Sequence, residues 1–227
     1  QFALLKKLDN NSSLYANAAK SFKMPTFTQI YGGGGANFAA NPLLEPEEGW
    51  TYEFGYKKTS NTSMFKAALY YMDLDTIEYE GKGTSSNPYV TRNMSFKNKG
   101  LEMTYEKDFG SKYSYSLGAN FCNPMGKNKK GVWERKFARE QYNAGIKYHD
   151  AKFNAALTGM FTTDRASGWG DLLPVNFIAG YKFDKSSTVE LGVENIFDRD
   201  DIVSNPGSAT KYYCLPRMVH VTYTYTF

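Results

Sequence analysis

The sequence has no run of roughly 18 consecutive apolar residues, so a membrane-spanning helix is excluded. Two cysteines, Cys122 and Cys214, in 227 residues are too few to build a disulfide framework. Only two histidines are present, His149 and His220. The net charge is only +4, and no basic stripe offers a surface for nucleic acid. Neither an initiator methionine nor a charged-then-apolar leader opens the chain. Gln1-Phe2-Ala3-Leu4-Leu5 reads as the middle of a strand, which predicts a fragment whose amino-terminal part lies elsewhere. No heptad pattern, second domain or low-complexity tract stands out, beyond the run Gly32–Gly35.

What the chain does have is aromatic residues and a period of two. Tyr (18) and Phe (16) make up most of a 16% aromatic content, yet mean hydropathy is only -0.54. The last stretch shows how both hold at once. Val219, Val221, Tyr223, Tyr225 and Phe227 fall on one face of a strand, and Met218, His220, Thr222, Thr224 and Thr226 on the other. The pattern recurs at Trp50, Tyr52, Phe54, Tyr56; at Leu101, Met103, Tyr105; at Tyr113, Tyr115, Leu117, Ala119, Phe121; at Tyr142 to Tyr148; at Phe153 to Phe161; at Phe177 to Phe183; and at Val189, Leu191, Val193. Only alternate residues need face lipid in a membrane barrel, so average hydropathy stays low.

The connections alternate in length. Tight turns are predicted at Asp9–Ser12, Thr59–Thr62, Asp108–Ser111, His149–Ala151 and Asp184–Ser187, and long loops at Phe22–Glu48, Glu80–Pro88, Asn123–Phe137, the Arg165–Trp169 region and Asn195–Leu215. With long loops outside and short turns in the periplasm, every connection falls on its proper side and Phe227 ends in the periplasm. Trp50 then lies near the outer interface, and Tyr56, Tyr225 and Phe227 near the inner one. The expected fold is an all-β, antiparallel transmembrane β-barrel with about ten to eleven strands present. Phe54, Leu117, Leu157, Phe177 and Val221 should face lipid, and Glu53, Glu102, Glu190, Glu194 and His220 the lumen.

Four segments, in order along the chain, resemble those of TonB-dependent outer-membrane receptors. They are Tyr15–Tyr56, with its Phe22-Lys23-Met24-Pro25 and Asn41-Pro42-Leu43-Leu44-Glu45-Pro46-Glu47; Asn98–Lys107 (NKGLEMTYEK); Val193–Asp201 (VENIFDRDD); and Pro216-Arg217 with the closing Phe227. One departure is Asp201, where the family motif usually ends in tyrosine. The resemblance implies a barrel of about 22 strands, of which residues 1–227 would be the carboxy-terminal part, with the plug domain and TonB box outside this sequence. It implies gated, TonB-energised import of an iron chelate across the outer membrane of a diderm bacterium. TonB, the plug, outer-membrane lipid and the chelate would be its partners, and no nucleic acid and no cofactor. Lumen-facing charges would mostly pair with plug residues. Phe227 would be the terminal aromatic read by the barrel-assembly machinery. A passive outer-membrane porin is the alternative, although it would carry a constricting charged loop and no Phe22–Glu48 signature.

Candidate ligand contacts are Phe27, Tyr31 and Phe38 in the first long loop, and Arg165, Trp169, Tyr212 and Tyr213 in later ones. Phe22–Leu44 contains no histidine to ligate haem iron axially, although Tyr31 offers a phenolate. Its aromatics, with Lys20 and Lys23 nearby, suit an anionic ferric siderophore, ranked ahead of haem and then cobalamin. The glycine run lacks the Lys-Ser/Thr of a phosphate loop. Asp73-Leu74-Asp75 lacks the spacing of a calcium loop, and Asp198, Asp200 and Asp201 read first as a solvated acidic loop and second as a calcium site. No catalytic residue is expected, because His149 sits in a periplasmic turn and His220 lies down the lumen with no carboxylate in its register. Cys122 and Cys214, several strands apart, should not pair, since a disulfide needs Cα atoms within about 7 Å.

Overall fold

The computed structural model describes all residues except 34–36, 166–168 and 208–209. Gly34 and Gly35 of the glycine run therefore lie outside the described residues. Fifteen strands and one short helix follow in order: β1 (Phe2–Lys7), β2 (Ser12–Lys23), α1 (Phe27–Tyr31), β3 (Glu47–Thr59), β4 (Ser63–Glu80), β5 (Val90–Phe109), β6 (Tyr113–Cys122), β7 (Met125–Lys127), β8 (Trp133–Arg135), β9 (Glu140–His149), β10 (Phe153–Thr163), β11 (Val175–Lys182), β12 (Ser187–Glu194), β13 (Ile202–Gly207), β14 (Thr210–Tyr213) and β15 (Met218–Tyr225).

Eleven of these make one antiparallel meander in the order β1-β2-β3-β4-β5-β6-β9-β10-β11-β12-β15. Each pairs with its sequence neighbour in the path, so every connection is a hairpin and none crosses the sheet. The sheet does not close on itself; it is part of a barrel wall, with β1 and β15 at its two edges.

Register explains the two faces. Rows of direct partners run across the strands, and partners share a face. One row joins Leu4, Ala16, Phe54, Leu69, Leu101 and Phe121. Another joins Tyr115, Ile146, Leu157, Phe177, Val193 and Val219. Among the described residues no second layer covers this face: Leu69 is 59% exposed while its neighbour Ala68, on the opposite face, is 3% exposed. A bare apolar face backed by a polar one is what a wall solvated by lipid requires. Phe54, Leu117, Leu157, Phe177 and Val221 all lie on the bare apolar face, and Glu53, Glu102, Glu190, Glu194 and His220 on the other.

The short turns are built by aspartates. Asp9 accepts the Asn11 amide and the Ser12 hydroxyl, Asp150 accepts the Lys152 and Phe153 amides, and Asp184 accepts those of Ser186 and Ser187, all at 2.7–2.9 Å. Those backbone amides hold the Asp150 carboxyl well below the usual carboxylate range.

The long-loop end departs most from the sequence reading. The segment Phe22–Glu48, expected to be irregular throughout, contains the end of β2, helix α1 and the start of β3. Asn123–Phe137 contains a hairpin, β7–β8, and Asn195–Leu215 contains a second, β13–β14, where loops were expected. Strands of three to six residues carry too few alternations to register as a period of two. Strand β5 also runs through Asp108 and Phe109, so the turn there is shorter than expected.

Candidate functional site: the polar wall and the loop crown

Two regions carry chemistry. The first is the polar face of the wall. Tyr15, on β2, donates to a Glu53 carboxylate oxygen at 2.5 Å. Lys66, on β4, stands 3.8 Å from the same carboxylate and 5.6 Å from the Tyr15 ring. Tyr15 can lie flat there because its cross-strand partner is Gly55; a Cβ at that position would sit 2.2 Å from the phenol ring. His220 uses the same device, its imidazole lying over its partner Gly192, where a Cβ would meet ring atoms at 2.2 Å. Tyr70 donates to Asn120 at 3.0 Å on the same face. Glu53 is thus already partnered within the wall, through Tyr15 and Lys66, which the sequence reading did not single out. The signal was available as glycines that alternate with aromatics across hairpins, but the register needed to pair them is not local.

The second region is the crown of long loops. Helix α1 starts at a capping box: Thr26 Oγ1 accepts the Gln29 amide at 3.3 Å and Gln29 Oε1 accepts the Thr26 amide at 2.7 Å. Gln29 also donates to the Tyr79 hydroxyl at 2.6 Å, and buried Thr91 donates to the Gln29 carbonyl at 3.2 Å. Asn41 donates to the Thr91 carbonyl at 2.8 Å, and Asn93 and Glu45 exchange two bonds at 2.8–2.9 Å. Tyr79, Thr91 and Asn93 share the parity of Leu69 and Leu101 in an unbroken register. The first long loop is therefore bolted to the outward face of the β4–β5 ribbon, above the apolar band.

Within that loop Phe27 and Tyr31 are exposed and pack on each other with tilted rings, centroids 4.6 Å apart. Phe38 instead packs among Tyr79 and Tyr89, at 5.6 and 5.3 Å. Lys20 and Lys23 are ion-paired to Glu48 and Glu47 at 3.0 and 2.9 Å, so the positive charge expected beside this loop is largely cancelled.

On the other side of the crown, Arg165 lies over the Trp169 ring at 5.1 Å and donates to the Val203 carbonyl of β13 at 3.2 Å. Tyr212 and Tyr213 stand exposed on β14, which pairs with β13. Arg165 and Trp169 thus form one contact, tied through Val203 to the hairpin that carries Tyr212 and Tyr213, and these two tyrosines, successive on β14, face opposite sides of it. Arg135 ties the Arg165–Trp169 contact to the β7–β8 hairpin, donating to the Asp164 carboxylate and to the Arg165 carbonyl. Lys136, next along, pairs with Glu78 of β4 at 2.9 Å.

The acidic loop is not a solvated cluster at Asp201. That side chain is 10% exposed, takes Arg199 in two bonds at 2.7 and 2.8 Å, and accepts the Leu173 amide at 2.8 Å. Arg199, and then the Leu173 amide, holds its carboxyl below the usual range against the opposing effect of burial. Asp198 meanwhile accepts the Arg217 amide at 2.8 Å. Among the described residues no three metal-binding side chains converge. Cys122 and Cys214 are free thiols. Phe227 lies beyond the end of β15, fully exposed, and packs edge-on against Tyr225 at 5.2 Å.

Residues 2–196 match the family model described as TonB dependent receptor-like, beta-barrel. The chain belongs to the TonB-dependent receptor β-barrel family. Solved structures with the same fold include the ferric enterobactin receptor PfeA of Pseudomonas aeruginosa in complex with enterobactin (TM-score 0.78, 17% identity), the ferric-catecholate import receptor Fiu of E. coli K12 (0.69, 19%) and the copper transporter OprC (0.77, 13%). Each is matched over 99% of this chain, which spans 40%, 34% and 39% of their respective lengths. These neighbours are receptors and transporters, and at these identities the likeness concerns fold.

Proposed function

We propose that the chain is the carboxy-terminal part of a TonB-energised outer-membrane receptor that imports an iron chelate, a ferric siderophore in first place. The supporting observation is the division of the wall: a bare apolar face, and a polar face carrying Glu53, Glu102, Glu190, Glu194 and His220. A barrel of about 22 strands leaves a lumen wide enough to need a plug. In this reading the free edges of β1 and β15 pair with strands outside the present sequence, and the polar face meets the plug. Glu102, Glu190 and Glu194, exposed and without an ion pair among the described residues, are more available for it than Glu53, which already holds Tyr15 and Lys66.

For the ligand, Arg165 with Trp169 combines a cation with flat aromatic surface, which suits an anionic aromatic chelate, and exposed Tyr212 and Tyr213 stand on the hairpin that Arg165 braces. Phe27 and Tyr31 are a second, smaller aromatic surface. Phe38 serves packing. The short turns face the periplasm and the crown faces outward.

The test is uptake of radiolabelled ferric siderophores by cells carrying the full-length receptor as their only such transporter. Uptake abolished by loss of TonB is expected. TonB-independent uptake of small solutes in general would instead establish the passive porin, and tight haem binding without any siderophore binding would overturn the ligand ranking.

A further inference from the structure

The apolar band of the wall ends, on the long-loop side, at Tyr52 and Tyr71, cross-strand partners on β3 and β4, with Trp50 stacked on Tyr52 at 5.9 Å. Immediately above this belt, the outward positions of β5 change from apolar to basic. Lys99 stands one outward step beyond Leu101 and Lys97 two, roughly 7 and 14 Å along the strand. Strand β7 widens this surface, because Met125 pairs with Lys97 and Lys127 pairs with Trp133.

The Trp133 ring is flanked by two ammonium groups, Lys97 at 5.6 Å and Lys127 at 5.4 Å. Tyr71, Lys97, Lys99, Met125 and Trp133 line one groove of about 320 Å³. Tyr71 also borders the adjoining apolar groove lined by Phe54 and Leu69, so the basic groove is continuous with the lipid-facing wall. Asp73 partners Lys97 at 3.3 Å, while Lys99 and Lys127 have no acidic partner among the described residues.

Aromatic rings mark the depth of the membrane–water interface, and cations just above them meet headgroup anions. We infer that this groove binds the phosphate of an outer-leaflet glycolipid. Lys99 from within the groove and Lys127 from beside it, where it lies against the Trp133 ring, reach the phosphate, and Trp133 and Tyr71 pack at the boundary between sugar and acyl chains. The inference rests on the outer-membrane placement of the chain but not on what the receptor imports, so uptake assays and a lipid assay fail independently. The β7–β8 hairpin then has a second task besides bracing the crown through Arg135 and Lys136: it holds Lys127 and Trp133 over the wall.

The test uses the full-length receptor in detergent, titrated with bisphosphorylated lipid A, with its fully dephosphorylated counterpart and with inorganic phosphate. Binding of the bisphosphorylated lipid should weaken about 30-fold in K99A/K127A, as expected for removing two interfacial cations, and be largely restored in K99R/K127R. It should also weaken with added salt. The dephosphorylated lipid should bind the unaltered receptor and K99A/K127A equally weakly. Equal binding of the bisphosphorylated lipid by the unaltered receptor and K99A/K127A would overturn the inference. So would insensitivity of the unaltered receptor to salt, which needs no variant to fold. Competition by inorganic phosphate at concentrations comparable to the lipid would overturn the lipid as ligand and leave a site for free anions.

Discussion

The wall and the crown of this protein are stabilised in opposite ways. In the wall, eleven strands share one antiparallel ladder, and the side chains need only be apolar on one face and polar on the other. In the crown, short pieces of structure are fastened by individual side chains to individual backbone groups: Gln29 to Tyr79, Asn41 to Thr91, Arg165 to Val203, Asp201 to Leu173. The wall should therefore tolerate conservative exchange at most positions and fail abruptly when a charge enters the apolar face. The crown should lose order locally, one fastening at a time, while the barrel stays intact.

The largest expected effect is on the making of the wall. Deleting Phe227 from the full-length receptor should sharply reduce the inserted, heat-modifiable form in outer-membrane fractions while leaving synthesis unchanged. Unchanged insertion would show that the terminal aromatic is dispensable for assembly. Next, Leu117→Arg places a charge mid-wall and should cost about 2–4 kcal/mol. Its unfolding in lipid vesicles, compared with Leu117→Ile, reads that cost, and a cost no greater than for Ile would mean that this face does not meet lipid.

A sharper probe of the polar face is Gly55→Ala. The added methyl must displace the Tyr15 ring and strain or break its bond to Glu53, at about 1–3 kcal/mol. Tyr15→Phe alone should cost less, and the double variant should be less than additive if the two act through one contact. In the crown, Asp201→Asn weakens the hold on Arg199 and Leu173 and should cost about 1 kcal/mol. Faster amide exchange confined to the loops before β11 and β15 is expected; faster exchange in the wall strands would erase the distinction between the two regions.

The smallest effect concerns the turn at Asp150. Its carboxyl is held below the ordinary range, so its contribution is present above the unfolded-state value near 3.9 and is lost as pH falls through the lower folded-state value. Asp150→Asn should therefore lower the thermal midpoint slightly and evenly from pH 8 to 5. The gap should narrow only in more acidic buffer, and a gap that widened on acidification would reverse the assigned sign.

The wall was legible in the sequence because lipid imposes a strict local rule. Every second residue must be apolar for the length of a crossing, so Tyr113 to Phe121 or Val219 to Phe227 declares both strand and facing without knowledge of any partner. Turn aspartates such as Asp150 and Asp184 are equally local, since their carboxylates cap amides two and three residues on. The outcome differed where a residue's partner is distant. Lys20 and Lys23 read as available charge until β3 placed Glu48 and Glu47 beside them, and that Phe38 packs against Tyr79 and Tyr89 was not legible locally. Asp201 read as a solvated acid until Arg199 and the Leu173 amide enclosed it. The sequence alone determined the all-β antiparallel class, about ten to eleven long strands and their two faces, because those follow from periodicity and connection length. Only the tertiary structure decided which charges remain free, where the first long loop is fastened and that Lys97, Lys127 and Trp133 meet, because each depends on register between strands far apart in the chain.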